Sequence, residues 1–148
     1  MDTDTGHSAV RILVVDDFEP WRQHIRSMLQ SQPELRVVAE VADGLEAVQK
    51  ALELKPDLIL LDVGLPNLSG IEAANRIRQV VPGARIIFLT QNSNQGVVRA
   101  ALNTGAQGYI LKTDAGRELF TAVAEVLAGK KFVSRGIEQA DSGEIGRF

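Results

Sequence analysis

The sequence Leu58-Ile59-Leu60-Leu61-Asp62 places four apolar residues directly before one carboxylate, and Val63-Gly64-Leu65-Pro66 then interrupts the apolar run. A short apolar run bounded by Gly and Pro is typical of a strand buried on both faces, as in a parallel sheet. The carboxyl ends of such strands are where open α/β sheets bind their ligands. The sequence therefore predicts a functional carboxylate, Asp62, at the tip of a buried strand.

Short apolar runs and segments of helical periodicity alternate on both sides of this stretch. The predicted strands cover residues 11–15, 35–41, 58–61, 85–89 and 109–111. Asp43 with Glu46 and Ser69 with Glu72 form capping boxes, which are typical of helix N-termini, and Asp114 is predicted to cap the last helix. Five strand–helix units in succession predict an α/β fold: a single three-layer α/β/α domain, (βα)5, around a parallel five-stranded sheet.

The composition is that of one domain with a hydrophobic core. The chain has 148 residues, of which 45% are apolar and 24% charged. We expect a disordered leader at 1–9, the domain at 10–130, and a C-terminal tail or the start of a linker at 131–148. The formal charge of -3 argues against a nucleic-acid-binding surface, and no run approaches the length of a membrane span. The absence of Cys excludes a disulfide framework and suits a cytoplasmic location.

Charged and hydroxyl side chains stand at the ends of four predicted strands. They are Asp16, Asp17, Asp62, Thr90 and Lys112. Because the carboxyl ends of parallel strands share one edge of the sheet, we expect these side chains to meet in one shallow cleft. Three neighbouring carboxylates repel one another, and a hard divalent cation such as Mg²⁺ relieves that repulsion through oxygen ligands. No His or Cys stands at these positions, which argues against zinc.

A magnesium site of this kind suits phosphoryl chemistry, because an ion with open coordination positions can accept phosphoryl oxygens. Asp62 is then the candidate nucleophile, since carboxylates form acyl phosphates. Lys112 can meet a phosphoryl oxygen as a point charge, and Thr90 can donate its hydroxyl to another. Each residue also has an ordinary explanation when taken singly. Asp16-Asp17 could cap the first helix, and Thr90 or Lys112 could be a plain strand-end residue.

In their joint order and spacing these motifs resemble the receiver domain of two-component response regulators, in the CheY-like superfamily. The motifs are Asp16-Asp17, Asp62-x-x-x-Pro66-x-x-x-Gly70, Thr90 and Gly108-Tyr109-Ile110-Leu111-Lys112. The resemblance covers residues 10–130 and implies a flavodoxin-like strand order, 2-1-3-4-5. It also implies that Asp62 accepts a phosphoryl group from a histidine kinase or phosphotransfer protein.

The same resemblance implies a role for the other matching residues. Asp17 and Asp62 would bind Mg²⁺ (or Mn²⁺) directly, Asp16 mainly through water, and Gly64 through its backbone carbonyl. The phosphoryl oxygens would be bound by Thr90 together with the lysine that ends the fifth strand, Lys112.

Tyr109 would be the switch aromatic, which turns inward as Thr90 moves toward the phosphate. Phosphorylation adds a charge of about −1.5 to −2. This charge would bias an element with two packings, here the fourth helix and the fifth strand.

The second half of the chain resembles the LuxR-type (NarL/FixJ) branch more narrowly. Residues 101–112, 118–119 and 126–129 carry this resemblance. Members of that branch usually have a C-terminal helix-turn-helix DNA-binding domain, so regulation of transcription is the implied output. This chain is too short for such a domain, which implies a truncated protein or a stand-alone receiver. The receiver itself is expected to contact neither DNA nor a membrane.

The implied partners are a histidine kinase, docking around residues 21–28, and a second copy of the chain. Homodimerisation would use either helix 1 with helix 5, or the face formed by helix 4, strand 5 and helix 5. Two positions depart from the family pattern near the phosphoryl site. Gly64, two residues after Asp62, leaves the approach to the phosphate open, and Gln91, directly after Thr90, could crowd it. Their net effect on the phosphoryl lifetime stays open.

Two other function classes share this architecture. A phosphatase that works through an aspartyl-phosphate typically needs a second acid two residues beyond the nucleophile, and Gly64 occupies that position. A flavodoxin-like mononucleotide binder would use a Ser/Thr/Gly-rich loop after the first strand, where Asp16-Asp17-Phe18-Glu19 would repel phosphate. The sequence therefore favours a phosphorylation switch, with at most slow self-dephosphorylation, over an enzyme.

Overall fold

The computed structural model describes residues 9–140. The strands are β1 (Val10–Val15), β2 (Leu35–Val41), β3 (Leu58–Leu61), β4 (Arg85–Thr90), β5 (Gly108–Leu111) and β6 (Phe132–Val133). The helices are α1 (Glu19–Gln30), α2 (Gly44–Leu54), α3 (Gly70–Val80), α4 (Gln95–Leu102), α5 (Ala115–Leu127) and α6 (Arg135–Ala140). A 3-10 turn, Lys112–Asp114, joins β5 to α5. The predicted leader at 1–9 lies, except for Ala9, outside the described residues.

The strands form one parallel sheet in the order β2-β1-β3-β4-β5-β6. This confirms the predicted α/β fold and the flavodoxin-like order of the first five strands. The predicted number of strands is wrong by one, because β6 extends the sheet beyond β5 in the described part of the chain.

Helices cover both faces of the sheet, and β3 shows how its sequence permits this. Leu58 and Leu60 pack into a hydrophobic cluster with residues of α1 and α5, whereas Ile59 and Leu61 pack into a second cluster with residues of α2, α3 and α4. Successive side chains of a strand point to opposite faces, so a strand between two helical layers needs an uninterrupted apolar sequence. All four residues are buried.

Side-chain caps begin two of the helices as predicted. Asp43 Oδ1 accepts the backbone N–H of Glu46 at 2.7 Å at the start of α2. Ser69 Oγ accepts the N–H of Glu72 at 3.2 Å at the start of α3. These contacts confirm Asp43 and Ser69 as N-caps and satisfy amide donors that have no partner within the helix.

The segment expected to be a tail or linker start contributes β6 and α6. Phe132 and Val133 pack against opposite hydrophobic clusters, and Ile137 is buried. A two-residue strand is too short for its alternation to be read from the sequence, which is why β6 escapes prediction.

Ser134 ties this segment to the helix that precedes it. Its Oγ accepts the N–H of Leu111 at 3.2 Å and lies 2.8 Å from Asp114 Oδ2 and 2.5 Å from Glu118 Oε1. The Asp114 side chain therefore contacts Ser134 and Arg117 and makes no cap bond to α5, contrary to the prediction.

Candidate functional site

The register of the sheet places the predicted site residues side by side. Val15 pairs with Leu61 at the ends of β1 and β3, so Asp16 and Asp62 follow at the same edge. Thr90 pairs with Leu111 at the ends of β4 and β5, so Lys112 follows there too.

Three carboxylates form the centre of the site. One oxygen each of Asp16, Asp17 and Asp62 lies within 4.8 Å of the other two. Asp16 and Asp62 are buried, whereas Asp17 is exposed. Such a set of oxygen donors, partly open to solvent, has the ligand type and spacing that a hard divalent cation needs.

Lys112 neutralises part of this negative charge. Its Nζ lies 2.6 Å from Asp16 Oδ2 and 3.2 Å from Asp62 Oδ2. The lysine side chain is only 10% exposed, so solvent screens these two ion pairs little.

Asp16 is held by Lys112 and by the loop after β1. Its Oδ1 accepts the N–H of Phe18 at 2.8 Å, and its buried Oδ2 is ion-paired with Lys112 Nζ at 2.6 Å and has no other partner among the described residues. Burial raises the pKa of the Asp16 carboxyl above its ordinary value, although Lys112 and the Phe18 N–H act in the opposite direction; the charge of Asp62 raises it further. A buried oxygen beside two other carboxylates fits a bound Mg²⁺, which removes this electrostatic cost.

The loop after β3 holds Asp62 from its backbone side. Asp62 Oδ1 accepts the N–H of Val63 at 2.7 Å. The N–H of Gly70 donates to the carbonyl of Val63 at 2.7 Å, which folds α3 back onto the strand end. A Cβ at Gly70 would lie 1.9 Å from the backbone oxygen of Asp62, so only glycine allows this approach.

An open cavity of about 430 Å³ lies over Asp62. It is lined by Asp16, Asp17, Phe18, Asp62, Gly64, Thr90, Gln91, Asn92 and Lys112. The structure thus brings together six of the seven site residues predicted from the sequence. Apart from its two chain neighbours, no described residue has an atom within 4 Å of the position that a Cβ would take at Gly64, so the approach is open on that side.

Tyr109 lies beside the cavity rather than in its lining. Its ring is fully buried, 6.0 Å from that of Phe88, and its hydroxyl donates to the backbone carbonyl of Asn92 at 2.6 Å. Burial raises the pKa of the phenol, and the charge of Asp62 adds to this. The hydroxyl therefore connects β5 to the loop that follows Thr90.

No sequence pattern signals the contacts of Trp21 and Asn92. Trp21 was expected only to begin the range 21–28 that contacts a histidine kinase, yet its ring centroid lies 5.2 Å from Lys112 Nζ. Asn92 lines the cavity and accepts the Tyr109 hydroxyl through its backbone, which no side-chain pattern signals.

Comparison with known proteins assigns the family. Residues 12–124 match the model of the response regulator receiver domain. The chain belongs to this family. The receiver is 39% identical over 121 residues to the response regulator protein VraR of Staphylococcus aureus, an alignment that covers 82% of this chain and 58% of VraR. The chain thus spans well under two thirds of the length of such curated relatives.

Solved structures show the same likeness. A LuxR-family two-component response regulator from Aurantimonas sp. SI85-9A1 is 36% identical, with a TM-score of 0.87 over 93% of this chain and 99% of that one. The response regulator domain of Thermotoga maritima CheB is 34% identical, with a TM-score of 0.76 over 81% of this chain and 97% of that one. The predicted resemblance to LuxR-type receivers is therefore confirmed. Among residues 9–140, no helix combines the length and apolarity required to cross a bilayer.

Proposed function

We propose that this receiver is a phosphoacceptor switch in which Asp62 takes a phosphoryl group from a histidine kinase or phosphotransfer protein. One observation supports this above the others: three carboxylates and one ammonium converge at the floor of an open cavity in a chain of the receiver family. The location that accompanies this role is the cytoplasm, where kinases draw on ATP.

The residues present fit a Mg²⁺ (or Mn²⁺) cofactor. Asp17 and Asp62 would hold it directly, with the backbone carbonyl of Gly64, and Asp16 would act mainly through water. When bound, the ion supplies positive charge that offsets the repulsion between a carboxylate and an incoming phosphoryl group. Asp16 and Asp17 follow β1 directly, so a rigid strand positions both.

The groups around Asp62 orient its carboxylate for attack on phosphorus. The N–H of Val63 holds Oδ1 at 2.7 Å, and Oδ2 faces Lys112 Nζ at 3.2 Å. As the donor's N–P bond breaks, an O–P bond forms to the Asp62 carboxylate, and the donor imidazole departs with the electron pair. Lys112 and the Thr90 hydroxyl then stabilise the negative oxygens of the transferred group.

The acyl phosphate can act as a signal because it changes the packing around Thr90 and Tyr109. The acyl phosphate adds negative charge beside Thr90, and the loop that follows Thr90 is bonded to the Tyr109 hydroxyl. A movement of Thr90 toward the phosphate therefore reaches Tyr109, β5 and α4, which are the elements we expect to switch.

The output of the switch is a change in protein contacts. LuxR-type relatives suggest regulation of transcription through an output domain, with a stand-alone receiver as the alternative. Phosphorylation would favour homodimers through α1 and α5, or through the face of α4, β5 and α5. The receiver itself is not expected to contact DNA. We expect slow self-dephosphorylation at most, because Gly64 provides no second acid near Asp62.

The test is phosphorylation by a small donor. The purified chain is incubated with Mg²⁺ and labelled acetyl phosphate, and we expect one stable phosphoryl group per chain, absent in Asp62→Asn and after chelation of the metal. Asp57→Asn is the matched control, because this exposed carboxylate precedes the same strand at the opposite edge of the sheet, where it accepts the N–H of Arg11 at 2.9 Å. Labelling of Asp62→Asn would refute the assignment, and sustained hydrolysis of many phosphoesters would indicate a phosphatase instead.

A further inference from the structure

The ammonium of Lys112 has three N–H donors, and two carboxylates account for only part of its surroundings. Asp16 Oδ2 and Asp62 Oδ2 lie at 2.6 and 3.2 Å. With the side chain only 10% exposed, little water reaches the remaining side. The indole of Trp21 lies on that side, and its ring centroid is 5.2 Å from Lys112 Nζ.

We propose that Trp21 is a positioning residue for Lys112, holding its ammonium beside Asp62 through the face of the indole ring. This inference rests on the proposed phosphoacceptor function. A cation within about 6 Å of an aromatic centroid is attracted to the ring, most strongly for Trp and most strongly where water is excluded. Both conditions are met at this ammonium.

The indole itself is held in place. Trp21 stands in the first turn of α1, and its backbone N–H donates to the carbonyl of Phe18 at 3.1 Å. The side chain packs against the hydrophobic cluster between the sheet and helices α1 and α5. The ring of His24, one turn further along, lies 5.3 Å away and is tilted by 49°. Because the ring is fixed on these sides, it gives the Lys112 side chain a rigid surface to pack against.

An aromatic wall suits this lysine better than another charged partner. A further carboxylate would bind the ammonium tightly and compete with the phosphoryl group for it. The indole attracts the cation without neutralising it, so Nζ can move from Asp16 toward a phosphoryl oxygen while staying over the ring. Trp21 also lines a groove of about 580 Å³, which shares Phe18, Gln91 and Lys112 with the lining of the site cavity.

The loss of the ring has a specific consequence. In Trp21→Leu the ammonium regains rotational freedom, and we expect the rate of phosphorylation by acetyl phosphate to fall about 3- to 10-fold. In Trp21→Phe a smaller aromatic face remains, and we expect the rate to stay within about 2-fold of wild type. The affinity for Mg²⁺ should be unchanged in both, because no described contact joins Trp21 to a carboxylate.

The experiment measures the rate at which acetyl phosphate phosphorylates each variant of the whole chain. Because this donor is a small molecule, loss of a protein docking surface cannot affect the result. Leu52→Ala on α2, an exposed apolar residue outside the cavity lining and outside the helices proposed for dimerisation, is the control and should leave the rate unchanged. Circular dichroism confirms that each variant is folded at the assay temperature. In parallel, NMR measures the ring-current shift of the Lys112 Hε protons, expected upfield in wild type, smaller in Trp21→Phe and absent in Trp21→Leu.

Three results separate the hypotheses. A wild-type chain that takes up no label overturns the proposed function and this inference together. A labelled wild-type chain with equal rates in Trp21→Leu, or with the same loss in Trp21→Phe as in Trp21→Leu, overturns this inference alone. Lys112 Hε shifts that do not respond to either substitution would overturn the contact itself.

Discussion

Gly70→Ala tests how closely helix α3 approaches Asp62. Gly70 is the first residue of α3, where intrinsic propensity favours alanine over glycine. A Cβ at this position would lie 1.9 Å from the backbone oxygen of Asp62 and 2.9 Å from the Cα of Val63. Both neighbours are backbone atoms, so no side-chain rotation relieves the overlap, and the strand end or the helix must move.

Three contributions determine how much Gly70→Ala lowers the free energy of unfolding. Overpacking in a rigid site costs about 1–3 kcal/mol. Weakening the Gly70 N–H bond to the Val63 carbonyl, now 2.7 Å long, costs about 0.5–1.5 kcal/mol. The gain in helix propensity returns at most about 1 kcal/mol. We therefore expect a net loss of about 2 kcal/mol, within a range of about 0.5–3.5 kcal/mol, and a decrease in melting temperature of about 4–8 °C for a domain of this size.

Thermal and urea unfolding measure the loss, with Gly116→Ala as the matched control. Gly116 lies in the first turn of α5. Outside its own helical turn, no described residue has an atom within 4 Å of the position its Cβ would take, so this change should be neutral or slightly stabilising. Phosphorylation of Gly70→Ala should also slow, because Asp62 moves with its carbonyl. If Gly70→Ala were as stable as the Gly116→Ala chain, the close approach of α3 to Asp62 would be refuted.

Two further substitutions test Tyr109 and the C-terminal segment. Tyr109→Phe removes the hydroxyl bond to Asn92 and should cost about 1 kcal/mol at pH 7. Because burial raises the pKa of Tyr109 above the ordinary phenol value of 10.0, the folded wild-type chain holds a proton that the unfolded chain loses, so wild-type stability falls as pH rises above 10. Tyr109→Phe lacks this pH-dependent loss. Urea titrations should therefore show that the difference in free energy of unfolding between wild type and Tyr109→Phe becomes smaller above pH 10; a constant difference would contradict the burial of the phenol. Ser134→Ala removes the acceptor of Leu111 N–H from a fully buried position and should cost about 1–2 kcal/mol. In Ser134→Ala, amide hydrogen exchange should become faster in β6 before it does elsewhere. The control Ser93→Ala, at an exposed position, should change neither stability nor exchange. Faster exchange throughout the sheet would argue against a local role for Ser134.

The sequence alone determined the architecture and the identity of most site residues, because both depend on local pattern. The uninterrupted apolar run before Asp62 requires helices on both faces of its strand, and the polar residues after each run then share one edge of the sheet. For this reason Asp16, Thr90 and Lys112 could be predicted to meet.

Only the tertiary structure decided which contacts those side chains make. Trp21 belongs to the apolar stripe of α1, and its approach to Lys112 depends on how that helix packs beside the end of β5. The strand β6 is equally invisible in sequence, because two residues carry no period and their pairing with Gly108 and Tyr109 depends on the sheet edge already present. Contacts between residues far apart in the chain arise from packing, and local propensity contains no information about packing partners.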